Sequence, residues 1–535
     1  MLLSRLVTTS ADVGATRSRL AKRALLSACI SEAAAGGPAD VELTVTFLSG
    51  TLRQRRTGVG WASLSALPAP AAEPTLTVAE VDAAFEAVAA IGGGGSAALR
   101  AAAVGQLFAR ATADEQHFLQ RLVFEELRQG ALDSLVQDGL AAAFDAPAKV
   151  VQRAAMLLGS TPAAAGLLAR QGIAALEEVG LRVGVPVRPM LAASAPDPEA
   201  AVPKSGLPAL VDAKLDGIRV QVHRDGERVR LYTRSLDDIT DRLPEIVDAV
   251  LALPSTRLVL DGEVVGLAAD GRPLPFQVIS SRTASSIDVA TARTQTPLRL
   301  FAFDLLHVDG RDLLDDPLSV RVEVMDDVLP PEMLVPRRMA DAAADITAFF
   351  AAVVADGYEG VVVKNLAAPY AAGRRDSGWI KLKPRHTFDL AVIASEWGYG
   401  RRDGWLSNLH LAARDSDTGK LVMLGKTFKG LTDKMLTWQT EQFLSREVRR
   451  TKSTVYVDPP LVAEIAIDGI QQSTRYPGGI ALRFARVLRY REDKTVDEID
   501  TLASVIALGA VLEAEGEPDG ADAPAGADAP DGAAE

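Results

Sequence analysis

The chain has 535 residues, 48 % of them apolar, and a formal net charge of −13. At ~150 residues per core that length asks for about three domains. One cysteine, Cys29, excludes an internal disulfide framework and a multi-cysteine zinc site. The five histidines (His117, His223, His307, His386 and His410) are scattered without metal-ligand spacing. Negative charge argues against a nucleic-acid partner until its distribution is read. The stretch EAEGEPDGADAPAGADAPDGAAE holds eight acids and no base, and the rest carries only −5, a balance compatible with a local basic groove.

No run of ~18 uncharged apolar residues occurs, so no membrane-spanning helix is expected. The opening MLLSRLVTTSADVGATRSRL lacks the apolar run of a signal peptide. A cytoplasmic location is expected. Residues 1–190 read as helical: Phe118 and Leu122, then Leu132, Leu135, Val136 and Leu140, recur at helical spacing. GGGG at 92–95 marks a loop between helices. The Pro-rich segment VGVPVRPMLAASAPDPEAAVPKSGLP reads as a linker. From about 208 the period becomes two. Ile218, Val220 and Val222 alternate with Arg219, Gln221 and His223, and Asp225-Gly226 predicts a tight turn before Val229 and Leu231. LVLDGEVVGL, LRLFAFDLL, GVVVKNL and WIKLKP read as strands, PEIVDAVLAL and DITAFFAAVVADG as helices. Residues 191–385 are therefore expected to form an α/β (α+β) domain. DLAVIASEW, LHLAARD, KLVMLGKTF, VYVDPPLVAEIAI and ARVLRYR predict a small β-barrel of OB type over 386–512. The tail 513–535, with GADAP at 520–524 and 526–530, has a disordered composition.

Chemistry begins at Asp212-Ala-Lys214-Leu-Asp216-Gly217-Ile-Arg219. A lysine amine attacks only when deprotonated. Nearby cations and burial favour that form, while carboxylates orient the amine. Alone, K-x-D-G also describes a surface lysine before a glycine turn. Downstream, in order, stand Thr233-Arg234-Ser235, Asp261-Gly262-Glu263, Phe303-Asp304, Glu359-Gly360-Val361-Val362-Val363-Lys364 and Trp379-Ile380-Lys381-Leu382-Lys383. This ordered set resembles the nucleotidyltransferase superfamily of DNA ligases, RNA ligases and mRNA-capping enzymes.

The pieces suit that chemistry. Asp261 and Glu263 share a strand face, although Asp-Gly alone also reads as a turn. Glu263 and Glu359 are candidate Mg²⁺ ligands, since that cation takes carboxylate and phosphate oxygens. Phe303 can offer its ring to a base or simply pack in a core. Lys381 and Lys383 alternate with Ile380 and Leu382, as suits a triphosphate or a solvated strand face.

The resemblance implies further roles. Lys214 matches the AMP-accepting lysine. Asp212 stands where the family usually has the glutamate that reads adenine. Arg219 and Arg234 match residues near ribose and phosphate, Phe303 the aromatic that stacks on the base, and Arg375 and Lys381 further nucleotide contacts. LRFARVLRYREDK is similar to the last family motif, with Arg483, Arg486, Asp493 and Lys494, and Ala485 where proline is usual. FLSGTLRQRRTGVGWASL, EELRQGALDSLVQDGLAAAF, VRPMLA, LPFQVISSR and FDLLHVDGRDLLDDPLSVR resemble the ATP-dependent DNA ligases of archaeal–eukaryotic type. So does VAEIAIDGIQQSTRYPGGIALRF. That group implies an all-α DNA-binding domain at 1–190, a nucleotidyltransferase domain at 191–385 and an OB-fold domain at 386–512. It implies ATP as co-substrate, Mg²⁺, nicked double-stranded DNA as partner, a monomer, and a place at the nucleoid. The alternative is an RNA ligase or capping-type nucleotidyltransferase. Gly425-Lys426-Thr427 resembles the end of a P-loop, but Lys420 stands where its first glycine belongs, and the segment reads as a barrel strand.

Overall fold

The computed structural model describes residues 1–514 except 55–56, 65–66, 128, 132, 275, 285–287, 372–377 and 385. Leu132, Arg375 and the GADAP repeats lie outside the described residues.

Helices occupy the chain from Leu3 to Glu177. Thr77 and Thr112 open two of them with reciprocal capping boxes to Glu80 and Glu115, satisfying amides that the first turn leaves without partners. Phe118, Leu119 and Leu122 are buried on one face of Ala113–Val123, and Leu135, Val136 and Leu140 on Asp133–Ala143. The GGGG segment is the expected loop. It separates Val78–Ala90 from Ser96–Ala109, with Gly93 and Gly95 at φ 83° and 76°, backbone that glycine adopts most readily.

The middle of the chain builds two five-stranded sheets. One runs Arg228–Thr233, Ile218–Asp225, Arg257–Gly266, Leu298–Val308, Arg311–Asp312, with every neighbouring pair antiparallel. The other runs Ala193–Ser194, Trp379–Leu382, Val361–Asn365, Ala209–Ala213, Arg337–Ala340. Helices Pro244–Leu251 and Ala343–Ala355 lie where the periodicity put them. The first hairpin turns one residue later than expected: Asp225 pairs with Arg228, so the loop is Gly226-Glu227.

One expectation changes here, beside a burial that the alternation left open. Gln221 and His223, polar members of that alternation, are 4 % and 1 % exposed. The Pro-rich segment was to be a linker, yet Val187 and Met190 are fully buried, Ala193–Ser194 pairs in parallel with Ile380 and Lys381, and Pro198–Ser205 is a helix. One fact explains both. The segment lies on the polar face of the sheet and satisfies it: Gln221 bonds Val187 through both its amide oxygen (2.7 Å) and its amide nitrogen (3.1 Å), and the Gly184 amide donates to His223 Nδ1 at 3.0 Å. Proline limits helix and strand but leaves carbonyls and flanking amides free for such contacts. The apolar core of the helical region accordingly continues into Val259, Leu306, Leu314, Tyr370 and Trp379. A second core spans Ala195 to Leu382.

The third part holds a six-stranded sheet, ordered Leu421–Thr427, Leu406–Arg414, His386–Trp397, Thr454–Ile467, Glu447–Arg450, with Arg486–Tyr490 also on Thr454–Ile467. A hairpin, Gly469–Gln472 with Ile480–Arg483, and helices Asp433–Ser445 and Leu502–Ala514 complete it. Among the described strands the pairings do not close into a ring. Gly425-Lys426-Thr427 is structural: Lys426 pairs with Glu396 and the Thr427 hydroxyl donates to the Ala485 carbonyl.

Candidate active site

Lys214 follows the strand Ala209–Ala213, and its backbone extends the pairing. Its amide donates to the Gly360 carbonyl at 2.8 Å and its carbonyl accepts from Glu359 at 3.0 Å. Those two bonds carry the lysine to the start of the strand Val361–Asn365. A side chain at Gly360, with φ 136°, would strike the Leu382 carbonyl, and one at Gly217 the Val264 carbonyl. Both glycines are there because backbone passes too close for a Cβ.

Glu359 is the hub. One carboxylate oxygen pairs with Lys214 and the other with Lys383. Burial alone would raise its pKa, but the two ammoniums hold it below the ordinary value. The strand Trp379–Leu382 buries Ile380 and Leu382 and leaves Lys381 half-buried. Burial lowers the Lys381 pKa, and Lys383, Lys214 and Arg234 add repulsion. Lys214 and Lys383 thus meet on Glu359, with Lys381 near enough to feel both charges and, more weakly, that of Arg234. Two further carboxyls face this cluster. Burial, opposed by Lys214 and Arg219, pushes Glu263 up to about 8. Burial and the Glu359 charge raise Asp216.

Behind the lysine is an aromatic corner. Phe303, half-buried, meets Trp379 edge-on at 5.7 Å. The Arg219 guanidinium lies 5.4 Å from the Phe303 centroid and forms a two-pronged ion pair with Asp261, at 3.0 and 2.6 Å. Asp261-Gly262 is not a turn. It lies within the strand Arg257–Gly266, and Gly262 is required because a Cβ would come within 2.8 Å of the Phe301 carbonyl. Asp212 is 2 % exposed, 2.5 Å from the Lys364 ammonium, and burial raises its pKa. Lys364 in turn sits 5.1 Å over Phe303 and 4.5 Å over Trp379 and donates to the Phe303 carbonyl.

The third part reaches this site. Asp468 lies 3.7 Å from both Lys383 and Arg486, and Arg483 lies 3.8 Å from Asp216. Arg486 is thereby brought to the edge of the cluster. Lys494 is held instead on Asp389 at 2.5 Å, beside Arg491, which is also paired with Asp493. Sequence reasoning missed Lys364, Tyr370 and Asp468. Lys364 ends the quoted EGVVVK run and could have been weighed there, whereas Asp468 has no local signal.

A lysine amine on a carboxylate, ringed by cations that match phosphates and backed by an aromatic face, defines a nucleotide-transferring enzyme. Comparison with known proteins agrees. Residues 189–383 match the family described as "ATP dependent DNA ligase domain", 402–494 "ATP dependent DNA ligase C terminal region" and 65–141 "DNA ligase N terminus". The chain is 56 % identical over 520 residues to a "Probable DNA ligase" of Beutenbergia cavernae, covering 96 % of this chain and 100 % of that one. It is also 56 % identical over 508 residues to a "Probable DNA ligase" of a Nocardioides species, covering 94 % and 98 %. The solved structure named "Pmar-Lig_PreS3" shares the fold, with a TM-score of 0.60 over 91 % of this chain and 99 % of that one at 18 % identity. The chain belongs to the ATP-dependent DNA ligase family.

Proposed function

We propose that this ligase seals 5′-phosphate/3′-hydroxyl nicks in duplex DNA, acting as a monomer, with Lys214 as the residue that carries AMP. The observation that carries the reading is Lys214 and Lys383 meeting on Glu359, with Lys381 beside them. Nitrogen attack by Lys214 on the α-phosphorus of ATP forms a phosphoramidate and releases pyrophosphate. AMP then passes to the 5′-phosphate of a nick, and the 3′-hydroxyl displaces it. Negative charge spreads over phosphate oxygens in each step, and Lys381, Lys383 and Arg234 offset it. Phe303 stacks on the adenine, with Arg219 at the ribose. Asp212 takes part through Lys364, which it holds against the Phe303 ring.

Glu263 and Glu359 would hold Mg²⁺. The donor set fits. Glu359 is a carboxylate held on two ammoniums, and Glu263 is a carboxyl facing Lys214 whose burial raises its pKa to about 8 and which a bound cation would ionise. Magnesium is bound by one or two carboxylates plus substrate phosphates, and when bound it neutralises phosphate oxygens. The division into a helical DNA-binding part at 1–190, a nucleotidyltransferase part at 191–385, an OB-type part at 386–512 and a tail is supported by three cores, the first of which runs on into the middle part. Arg375 and Lys494 belong to the nucleotide contacts in this reading. No described helix is long and apolar enough to cross a membrane, in keeping with work in the cytoplasm at the nucleoid.

The test is incubation with ATP labelled at the α-phosphate, followed by mapping of the AMP-bearing peptide. Label on Lys214, its loss in Lys214→Ala, and closure of nicked DNA are the expected results. Label on another residue overturns the assignment. Labelling by GTP and joining of RNA alone would favour an RNA-directed transferase.

A further inference from the structure

Between the helical region and the nucleotide site lies a closed ring of hydrogen bonds that the reaction scheme does not use. Met190, fully buried in the Pro-rich segment, contributes both its backbone groups. Its amide donates to the Tyr370 hydroxyl at 3.0 Å, and its carbonyl accepts from Arg219 Nη1 at 2.8 Å. The ring closes on Asp261. Tyr370 donates to Asp261 Oδ2 at 2.7 Å, and Arg219 donates to the same oxygen at 2.6 Å and to Oδ1 at 3.0 Å. Tyr370 and Asp261 are 2 % and 1 % exposed, while the Arg219 side chain keeps 17 % of its surface open.

Each polar atom in the ring has a defined task. Arg219 has five N–H groups, and the ring engages three of them: Nε and Nη2 on Asp261 and Nη1 on the Met190 carbonyl. Two N–H groups remain, on a guanidinium that lies 5.4 Å from the centre of the Phe303 ring. The Tyr370 hydroxyl both accepts and donates, so its proton is committed to Asp261, and burial beside that carboxylate keeps the phenol protonated. A guanidinium on a carboxylate alone can pivot. One pinned at a third point by the Met190 carbonyl cannot.

We propose that Tyr370 is a positioning residue for nucleotide binding: with Asp261 and the Met190 backbone it fixes the Arg219 guanidinium at the angle the nucleotide requires. The segment arriving from the helices thereby forms part of the wall of the site. This rests on the reading that Arg219 meets the nucleotide.

The experiment follows enzyme–AMP formation in the full chain against ATP concentration. Tyr370→Phe keeps the ring against Trp379, 6.0 Å away, and removes only the hydroxyl. It is expected to raise the KM for ATP about tenfold, as loss of a hydrogen bond to a charged group does, with the rate at saturating ATP within about twofold. In an Arg219→Lys background, Tyr370→Phe adds nothing further, because it acts through Arg219. An unchanged KM in Tyr370→Phe, or an effect that persists in full beside Arg219→Lys, overturns the proposal. Arg219→Lys alone with an unaltered KM overturns the nucleotide contact itself, and the proposal with it. Asp261→Asn is the second variant, expected to move KM in the same direction. An unchanged KM there also overturns the proposal.

Discussion

His223 is neutral where most histidines would share a proton with water. Burial drives its pKa down to about 3, and the geometry agrees: Nδ1 accepts the Gly184 amide, and Nε2 lies 2.8 Å from the Gln221 amide oxygen. An unfolded histidine takes up its proton near pH 6.5, while the folded chain refuses it until about 3. Stability from this site is therefore present above about 6.5 and lost as pH falls toward 3. The loss amounts to about 3 kcal/mol by pH ~4. Melting the wild type and His223→Gln across about pH 4–8 checks this. The wild type's advantage should shrink steadily below pH ~6.5, and a constant gap would mean that His223 is not the group responsible.

Elements are tied together by pairs of the same kind. Arg321 on the helix Leu318–Val328 meets Asp304 on the strand Leu298–Val308 at 2.7 and 3.0 Å, with side chains 1 % and 0 % exposed, and also donates to the Asp316 and Ala368 carbonyls. Arg321→Met leaves Asp304 buried and unpaired, which costs about 3–5 kcal/mol. Urea unfolding should register that loss, and because Asp304 neighbours Phe303, nucleotide affinity should fall with it. A variant as stable as the wild type would show that Asp304 is neutral or solvated. Such pairs also mark what could be read in advance. The strands around Asp261, Phe303, Val363 and Ile380 announce themselves by period and β-branched content, and of the residues that the ordered motifs single out, Lys214 and Lys383 meet on Glu359. Their meeting is local to three neighbouring strands of one sheet. The burial of Gln221 and His223 was not legible, because their cover comes from residues 34–39 positions away in the chain. The helix Asp433–Ser445 was passed over among short strands, although Leu436, Thr440 and Phe443 keep helical spacing and Thr432 caps it. Barrel closure depends on how strands curve, which alternation does not encode.

At the scale of the molecule, the third part touches the site through acids and bases of both sides: Asp468 between Lys383 and Arg486, and Arg483 on Asp216. In the proposed scheme Arg486 serves the triphosphate and has no work once pyrophosphate has gone. Arg486→Ala should slow enzyme–AMP formation by about tenfold or more while closing pre-adenylylated nicks at close to the wild-type rate. Equal slowing of both steps would give Arg486 a static role. Nick binding by the whole chain should weaken steeply with added salt, since counterions released from the phosphates drive it. The segment that lies across the sheet sets a limit on recombining these parts. Gly184, Val187 and Met190 arrive in the chain with the helices but are bonded to the sheet that carries Arg219, Gln221 and His223. A chimera that exchanges the helical module must therefore be joined upstream of Gly184. A joint placed a few residues later would import a foreign strap and hand the recipient a sheet whose polar face has lost its seal.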